Sequence, residues 1–432
     1  SWTLYDDDLM FDAEHADMDG DGAQDLLLGS SYLSSDDSVA YEGALHLFTG
    51  IGAQQGDLDA DDATASIWGA EQYQYFGYRS AIGDLDGDGY RDIVGIDDGS
   101  VYLFEGPFDD DLTTDDASVV ASTGSGTVYY KDLTSGDLDG DGLDDLVLGD
   151  GYANGYAGEV YVLYGPSDDW EGDESNVGYL DLGPVSAVAD ARIEGDEVYT
   201  YLGQMMESAG DLGGDGVDDL VLATPYSSEN VSYGGALYVF SGPVTGSLDL
   251  SDADAVVYGS EASGYLGVDM GAGGDVDGDG YGDLVASAPG TTTYRAFLFA
   301  GEDLDQSGTE EDLYTVEFEG ETYGFGYSVD LGTDLDADGL SEVLVGDPYA
   351  TSDSDSQAGR LLVFYGAESL SGDLDGGNAE LIISGTAEYG YFGSTSYALG
   401  DVDGDGAGDL AAYEYDYANS EYGLHLFLGG SY

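Results

Sequence analysis

Apolar residues along this chain come in short runs, separated by glycine and acidic clusters, and no stretch sustains a 3.6-residue period. Around Asp92 the run "DIVGI" is continuous and rich in β-branched residues. Gly99 to Gly106, "GSVYLFEG", then alternates apolar and polar positions and ends at glycine. "YFGYRSAIG" precedes these two runs and "ASVVAS" follows them, so the pattern predicts four short strands with turns between them. The same order recurs. Second runs read "DLLLG", "DLVLG", "DLVLA", "DLVAS", "EVLVG" and "DLAAY". Third runs read "GALHLFTG", "GEVYVLYG", "GALYVFSG", "YRAFLFAG", "GRLLVFYG" and "GLHLFLGG", and fourth runs include "ATASIWG", "DARIEG", "DAVVYG", "LYTVEF" and "ELIISG".

Between the first and second run of each unit lies a nine-residue acidic block. Blocks start at Asp17, Asp84, Asp137, Asp211, Asp275, Asp334 and Asp401, a period of about 64 residues. Seven four-stranded units at this spacing predict an all-β, seven-bladed β-propeller of antiparallel blades, one domain over residues 1–432. The last unit ends after its third run, and "SWTLYDDD" stands before the first block where a fourth run belongs. The N-terminal strand is therefore expected to complete the last blade, which removes an open edge at the ring seam.

Each block crowds carboxylates at positions 1, 3, 5 and 9. At about 4 Å and an effective dielectric near 20, a like-charge pair costs roughly 4 kcal/mol, so the block calls for a cation. Ca²⁺ fits, taking six to eight oxygens in flexible geometry; Mg²⁺ demands tighter octahedral ligation. The expected ligands are Asp17, Asp19, Asp21 and Asp25 with the Ala23 carbonyl, and Asp84, Asp86, Asp88 and Asp92 with that of Tyr90. Asp137, Asp139, Asp141 and Asp145 with Leu143 form the third set, and Asp211, Asp215 and Asp219 with Val217 the fourth. Asp275, Asp277, Asp279 and Asp283 with Tyr281 make the fifth, Asp334, Asp336, Asp338 and Glu342 with Leu340 the sixth, and Asp401, Asp403, Asp405 and Asp409 with Ala407 the seventh. Gly213 leaves the fourth set without its position-3 carboxylate, and Glu342 offers a longer arm in the sixth. Glycine at position 6, from Gly22 to Gly406, suits a sharp turn. The opening resembles an EF-hand loop, but the last acid comes at position 9 and leads into β-type residues rather than a helix. Up to seven structural Ca²⁺ ions are expected.

Composition sharpens this. A formal charge of −85 comes from 91 acidic and 6 basic side chains, and seven divalent ions would offset only a small part of it. The excess suits a solvated surface at high ionic strength or a field that draws basic partners; nucleic acid and anionic membrane surfaces are very poor candidates for binding to it, and neither nucleic-acid binding nor membrane insertion is expected. With no cysteine there is no disulfide or thiolate site, and no apolar run approaches a membrane span. Calcium sites of extracellular modules bind at about 10⁻⁴–10⁻³ M, which points to a secreted or cell-surface setting.

The units carry a further likeness. Phe76-Gly77, Phe325-Gly326 and Phe392-Gly393 precede first runs, with Leu202-Gly203 and Leu266-Gly267 as variants, and "ATP", "SAP" and "GDP" end at Pro225, Pro289 and Pro348. In this the chain resembles the FG-GAP β-propeller of integrin alpha subunits over essentially its whole length. The first and third units lack the Phe-Gly element. The resemblance implies a calcium-bound extracellular recognition platform, with metal loops on the face opposite the one that binds ligand. Neither an inserted domain nor leg domains fall within this sequence.

Catalytic signatures are missing: the chain has no His-Glu-x-x-His or Gly-x-Ser-x-Gly segment, and His15, His46 and His425 read as structural. An enzyme is not expected. Tyrosine and phenylalanine gather at the start of first runs, in "YQYFGY", "VYTYLG", "SGYLG", "YGFGY" and "EYGYFG", and read as core packing of the inner strands or as an aromatic ring in the central channel. The segment from Pro166 to Pro184 reads as a binding loop or a surface excursion. The expectation is a monomeric adhesion or recognition module whose partner is a protein with basic groups. The alternatives are a glycan-binding lectin and a structural surface component.

Overall fold

The computed structural model describes residues 2–6, 12–34, 40–53, 58–122, 131–165, 180–351, 356–368, 370–416 and 421–430. Seven sheets form, one per unit. The second blade shows how. Its strands Ser80–Gly83, Asp92–Ile96, Ser100–Phe104 and Val119–Ser122 pair antiparallel in sequence order. Second strands carry continuous apolar runs because both faces of each sheet are covered. Leu26 and Leu28 enter one apolar cluster and Leu27 the next. There are seven such clusters, one between each pair of neighbouring sheets. The one holding Leu26, Leu28 and Phe48 with Leu399, Ala411 and Leu424 joins the last blade to the first, so the ring is closed.

The first strands pack side by side around the axis: Asp12–Ala16, Ser80–Gly83, Lys131–Gly136, Met206–Ser208, Met270–Ala272, Val329–Thr333 and Ser396–Leu399. The seventh sheet runs Ser396–Leu399, Asp409–Asp416, Glu421–Phe427 and then Trp2–Asp6, which lies antiparallel to Glu421–Phe427.

The four antiparallel strands expected of each blade are present, and five sheets hold a fifth strand besides. Leu112–Thr113, Leu180–Pro184, Gly246–Asp249, Gly308–Thr309 and Gly372–Asp375 each lie parallel to the fourth strand of the preceding blade. Each comes from the connection between the third and fourth strands of its own blade. The physical reason is the outer edge: without cover, each fourth strand would expose a row of unpaired N–H and C=O groups.

The Phe-Gly elements work as inter-blade plugs. Phe76, Phe325 and Phe392, with Leu202 and Leu266, are buried between sheets. Phe76, Leu202, Leu266 and Phe392 bridge in parallel to Gly43, Gly158, Gly235 and Gly359 at the start of the preceding blade's third strand. A Cβ on Gly43 would lie 2.0 Å from the Phe76 carbonyl oxygen, so only glycine admits the approach.

Candidate functional site

All seven acidic blocks are loops joining first and second strands, and they share one face of the ring. Their internal bonding is repetitive. In the first loop Asp17 accepts N–H groups from Gly20 (2.7 Å) and Gly22 (3.0 Å), Asp19 accepts that of Asp21 (3.0 Å), and Asp21 that of Ala23 (2.9 Å). Asp25 takes the Met18 N–H at 2.9 Å and the Gly50 N–H at 3.1 Å, tying the loop to the end of the third strand. Position-2 residues (Met18, Leu85, Leu138, Leu212, Val276, Leu335 and Val402) are buried and anchor each loop in the core.

Glycines at positions 4 and 6 both have positive φ, such as 79° at Gly20 and 96° at Gly22. The position-4 requirement escaped the sequence reading. In the sixth loop Ala337 holds that conformation at φ 60°.

Carboxylate oxygens of several blocks converge. One carboxylate oxygen each from Asp17, Asp19 and Asp25 lies within 4.8 Å of the others, as do those of Asp84, Asp86 and Asp92 and of Asp137, Asp139 and Asp145. Asp275, Asp277 and Asp279 converge likewise, and so do Asp334, Asp336, Asp338 and Glu342. The position-9 acids sit deepest. Burial pushes the carboxyls of Asp92, Asp145 and Asp283 up to about 7, Asp219 and Asp409 to about 6 and Glu342 to about 8, against backbone N–H groups that pull them down. A buried carboxylate cluster of this kind is costly without a positive charge beside it.

The sixth loop supplies a test of fit. In the other six, the position-9 carboxylate accepts a second N–H from a glycine after the third strand, as Gly106 and Gly301 do for Asp92 and Asp283. Glu342 accepts only the Leu335 N–H, and its Oε1 is buried with no hydrogen-bond partner. A buried carboxylate oxygen without a partner, on a residue grouped with Asp334, Asp336 and Asp338, is what a hard cation would satisfy, so the residues fit Ca²⁺.

The loops also couple to one another. The position-8 N–H donates to the position-1 carbonyl of the preceding loop: Asp144 to Asp84 (3.2 Å), Asp218 to Asp137 (3.0 Å), Gly282 to Asp211 (3.1 Å), Ser341 to Asp275 (2.8 Å), Gly408 to Asp334 (2.6 Å) and Gln24 to Asp401 (2.8 Å). Arg91 adds an ion pair with Asp144. The geometry of one loop thus bears on its neighbour's backbone.

The central channel differs from expectation. Its cavity of about 650 Å³ is lined by Asp12, Glu14, Asp132, Glu207, Asp269 and Asp330 with Arg79, and among the described tyrosines, phenylalanines and tryptophans only Tyr78, Tyr327 and Tyr397 reach it. Arg79 Nε lies 3.0 Å from Asp132 and Nη1 3.9 Å from Asp12. These acids staple neighbouring blades: Asp132 accepts the Met206 N–H (3.0 Å), Asp269 that of Val329 (2.9 Å) and Asp330 that of Ala398 (2.8 Å). Among 91 acidic side chains nothing in the sequence marked them out, apart from their place on first strands.

The aromatic gathering lies on the face opposite the acidic loops, where first strands begin and second strands end. There Tyr156, Tyr201, Tyr226, Tyr265 and Tyr233 run from ring to ring with centroids 5.7–6.2 Å apart, across the third, fourth and fifth blades. Tyr323, Tyr349 and Tyr391 continue the pattern at 5.4 and 5.5 Å. Tyr73, Tyr199 and Tyr323 are 58%, 60% and 64% exposed. Of the histidines, His46 Nδ1 meets Ser66 Oγ at 2.8 Å, His425 lies between Thr3 (3.1 Å) and Glu414 (3.3 Å), and His15 contacts Gln24 at 3.2 Å. Of the Pro166 to Pro184 segment, residues 166–179 lie outside the described residues, and Leu180–Pro184 is the strand beside Val119–Ser122.

Four segments match the FG-GAP repeat family: residues 132–163, 207–240, 267–299 and 325–364. The chain is 29% identical to integrin alpha-5 of Xenopus laevis over 236 residues, 51% of this chain and 20% of that one. It is 25% identical to the phosphatidylinositol-glycan-specific phospholipase D of Bos taurus over 410 residues, 84% of this chain and 46% of the relative. It therefore spans less than half the length of these relatives. Among solved structures, one described as the Dos1 propeller aligns over 94% of this chain and 82% of its own at 9% identity, with a TM-score of 0.45.

Proposed function

We propose that this FG-GAP repeat β-propeller, similar to integrin alpha subunits, is a calcium-stabilised recognition module working outside the cell, its blades forming one domain across residues 1–432. The carboxylates of the seven loops hold up to seven Ca²⁺ ions, with the position-7 carbonyls completing the sets. The ion supplies charge compensation and fixed geometry, and performs no catalytic step. The protein's own residues then hold each first strand against its second and each loop against the next.

The observation that carries the recognition reading is the belt of half-exposed tyrosines opposite the loops, on a chain of charge −85. Ring faces in a negative field favour cationic side chains by cation–π attraction, and the field speeds their approach. The partner is accordingly a protein presenting lysine or arginine. The test measures binding of the Ca²⁺-loaded chain to lysine- and arginine-rich peptides and to a glycan panel, at low and high salt. Peptide binding that falls with salt and is lost in Tyr199→Ala/Tyr323→Ala supports the reading. Sugar binding that persists in high salt would replace it with a lectin, and binding to neither with a structural surface role.

A further inference from the structure

The second, third and fourth acidic loops are joined more firmly than the rest. At each junction named above, the position-8 N–H holds the position-1 carbonyl of the preceding loop. At two of them the position-8 side chain holds the position-1 N–H as well. The Asp144 carboxylate accepts the Asp84 N–H at 2.9 Å, and the Asp218 carboxylate accepts that of Asp137 at 3.0 Å. Asp144 therefore fixes both backbone polar groups of Asp84, and Asp218 fixes both of Asp137. Arg91, at position 8 of the second loop, donates to the same Asp144 oxygen. Glycine admits the approach: a Cβ on Gly83 would lie 2.8 Å from the Asp144 Cβ, and one on Gly136 2.7 Å from the Asp218 Oδ2. Elsewhere Gly282 and Gly408 have no side chain to offer at position 8, and Gln24 turns to His15.

The ends of each clamp lie beside expected calcium ligands. Position 8 directly precedes the position-9 carboxylates of Asp145 and Asp219, and position 1 carries those of Asp84 and Asp137. Ordering a loop around a cation costs backbone entropy. Where the next loop already holds a residue's N–H and carbonyl, that ordering is shared, so filling one loop leaves less to order in the other.

We infer that Asp144 and Asp218 are positioning residues that make the second, third and fourth loops one cooperative calcium-binding unit, whereas the sixth and seventh bind independently of each other. This rests on the calcium reading above and deepens it. The fourth loop, which has Gly213 in place of a position-3 carboxylate, draws its affinity in part from the occupied third loop.

The experiment equilibrates the chain over a series of free Ca²⁺ concentrations and reads hydrogen exchange of residues 137–145 and 211–219 separately by mass spectrometry. Asp139→Asn/Asp141→Asn empties the third loop, and Asp215→Asn empties the fourth. Emptying either should raise the calcium midpoint of the other by about fivefold or more, and equally in both directions, as linkage requires of a true coupling and local damage does not. In the Asp218→Ala background the shift should fall below about twofold. In Asp218→Asn, which keeps the accepting oxygen without the charge, it should return. Emptying the seventh loop with Asp403→Asn/Asp405→Asn should leave the midpoint of residues 334–342 within about twofold, because Gly408 makes no clamp. A shift that survives in Asp218→Ala, or one as large across the Gly408 junction, would overturn the inference and leave the calcium reading standing. A chain that takes up no calcium would overturn both.

Discussion

Gly359→Ala tests how the Phe-Gly plug holds two blades together. Gly359 has φ +82°, where an L side chain costs about 1–2 kcal/mol. A Cβ there would lie 2.2 Å from the Phe392 carbonyl oxygen and 2.4 Å from its nitrogen, so the plug itself must withdraw. That strains the Phe392 N–H bond to the Ala358 carbonyl (2.9 Å), worth about 1 kcal/mol, and partly exposes a ring whose full truncation would cost about 3–5 kcal/mol. The expected total is about 3–5 kcal/mol. Gly372→Ala is the control: its φ is +91°, but no atom lies within 4 Å of the added Cβ, so only the 1–2 kcal/mol of backbone strain applies. Urea unfolding in saturating Ca²⁺ reads both. Equal destabilisation of the two variants would refute the plug argument, because close approach would then contribute nothing.

Glu342→Asp should raise stability by about 1 kcal/mol in the absence of calcium: the shorter arm gains the amide bond that the other six loops make, at the cost of one methylene. A loss of stability in the calcium-free chain would contradict the account of the orphaned Oε1. Burial raises the channel carboxyls of Asp132 to about 6 and of Asp269 and Asp330 to about 7. The folded chain thus keeps protons that the unfolded chain releases above about 4, and stability from these groups is lost as pH rises from about 4 to 7. Asp269→Asn/Asp330→Asn should therefore gain most over the parent near pH 8 and least near pH 4.5; a gain independent of pH would refute the assignment. Excess EDTA should lower the melting temperature by well over ten degrees, and an unchanged melting curve would remove calcium's structural role.

The sequence showed the architecture wherever a local signal existed. Acid blocks such as Asp84 to Asp92 recur with their strands, and the alternation in "SVYLF" and the continuous "DIVGI" report how each strand is covered. What stayed hidden depends on partners distant in the chain. A two-residue strand such as Leu112–Thr113 has no periodicity of its own and exists only because the Ile67–Trp68 edge needs cover. Tyr199 and Tyr201 read as core or channel residues because their segment leads into a first strand, but they stand in a turn with positive φ at both, on the face opposite the acidic loops. The channel acids could not be told from solvated ones without knowing which strands face the axis.

The central claim is that divalent ions let clustered carboxylates organise the ring. Native mass spectrometry of the chain after equilibration in calcium tests it most directly. The account predicts a compact species carrying six or seven calcium ions, the weakest at the loop that has Gly213 at position 3. A compact, folded species carrying none would contradict it.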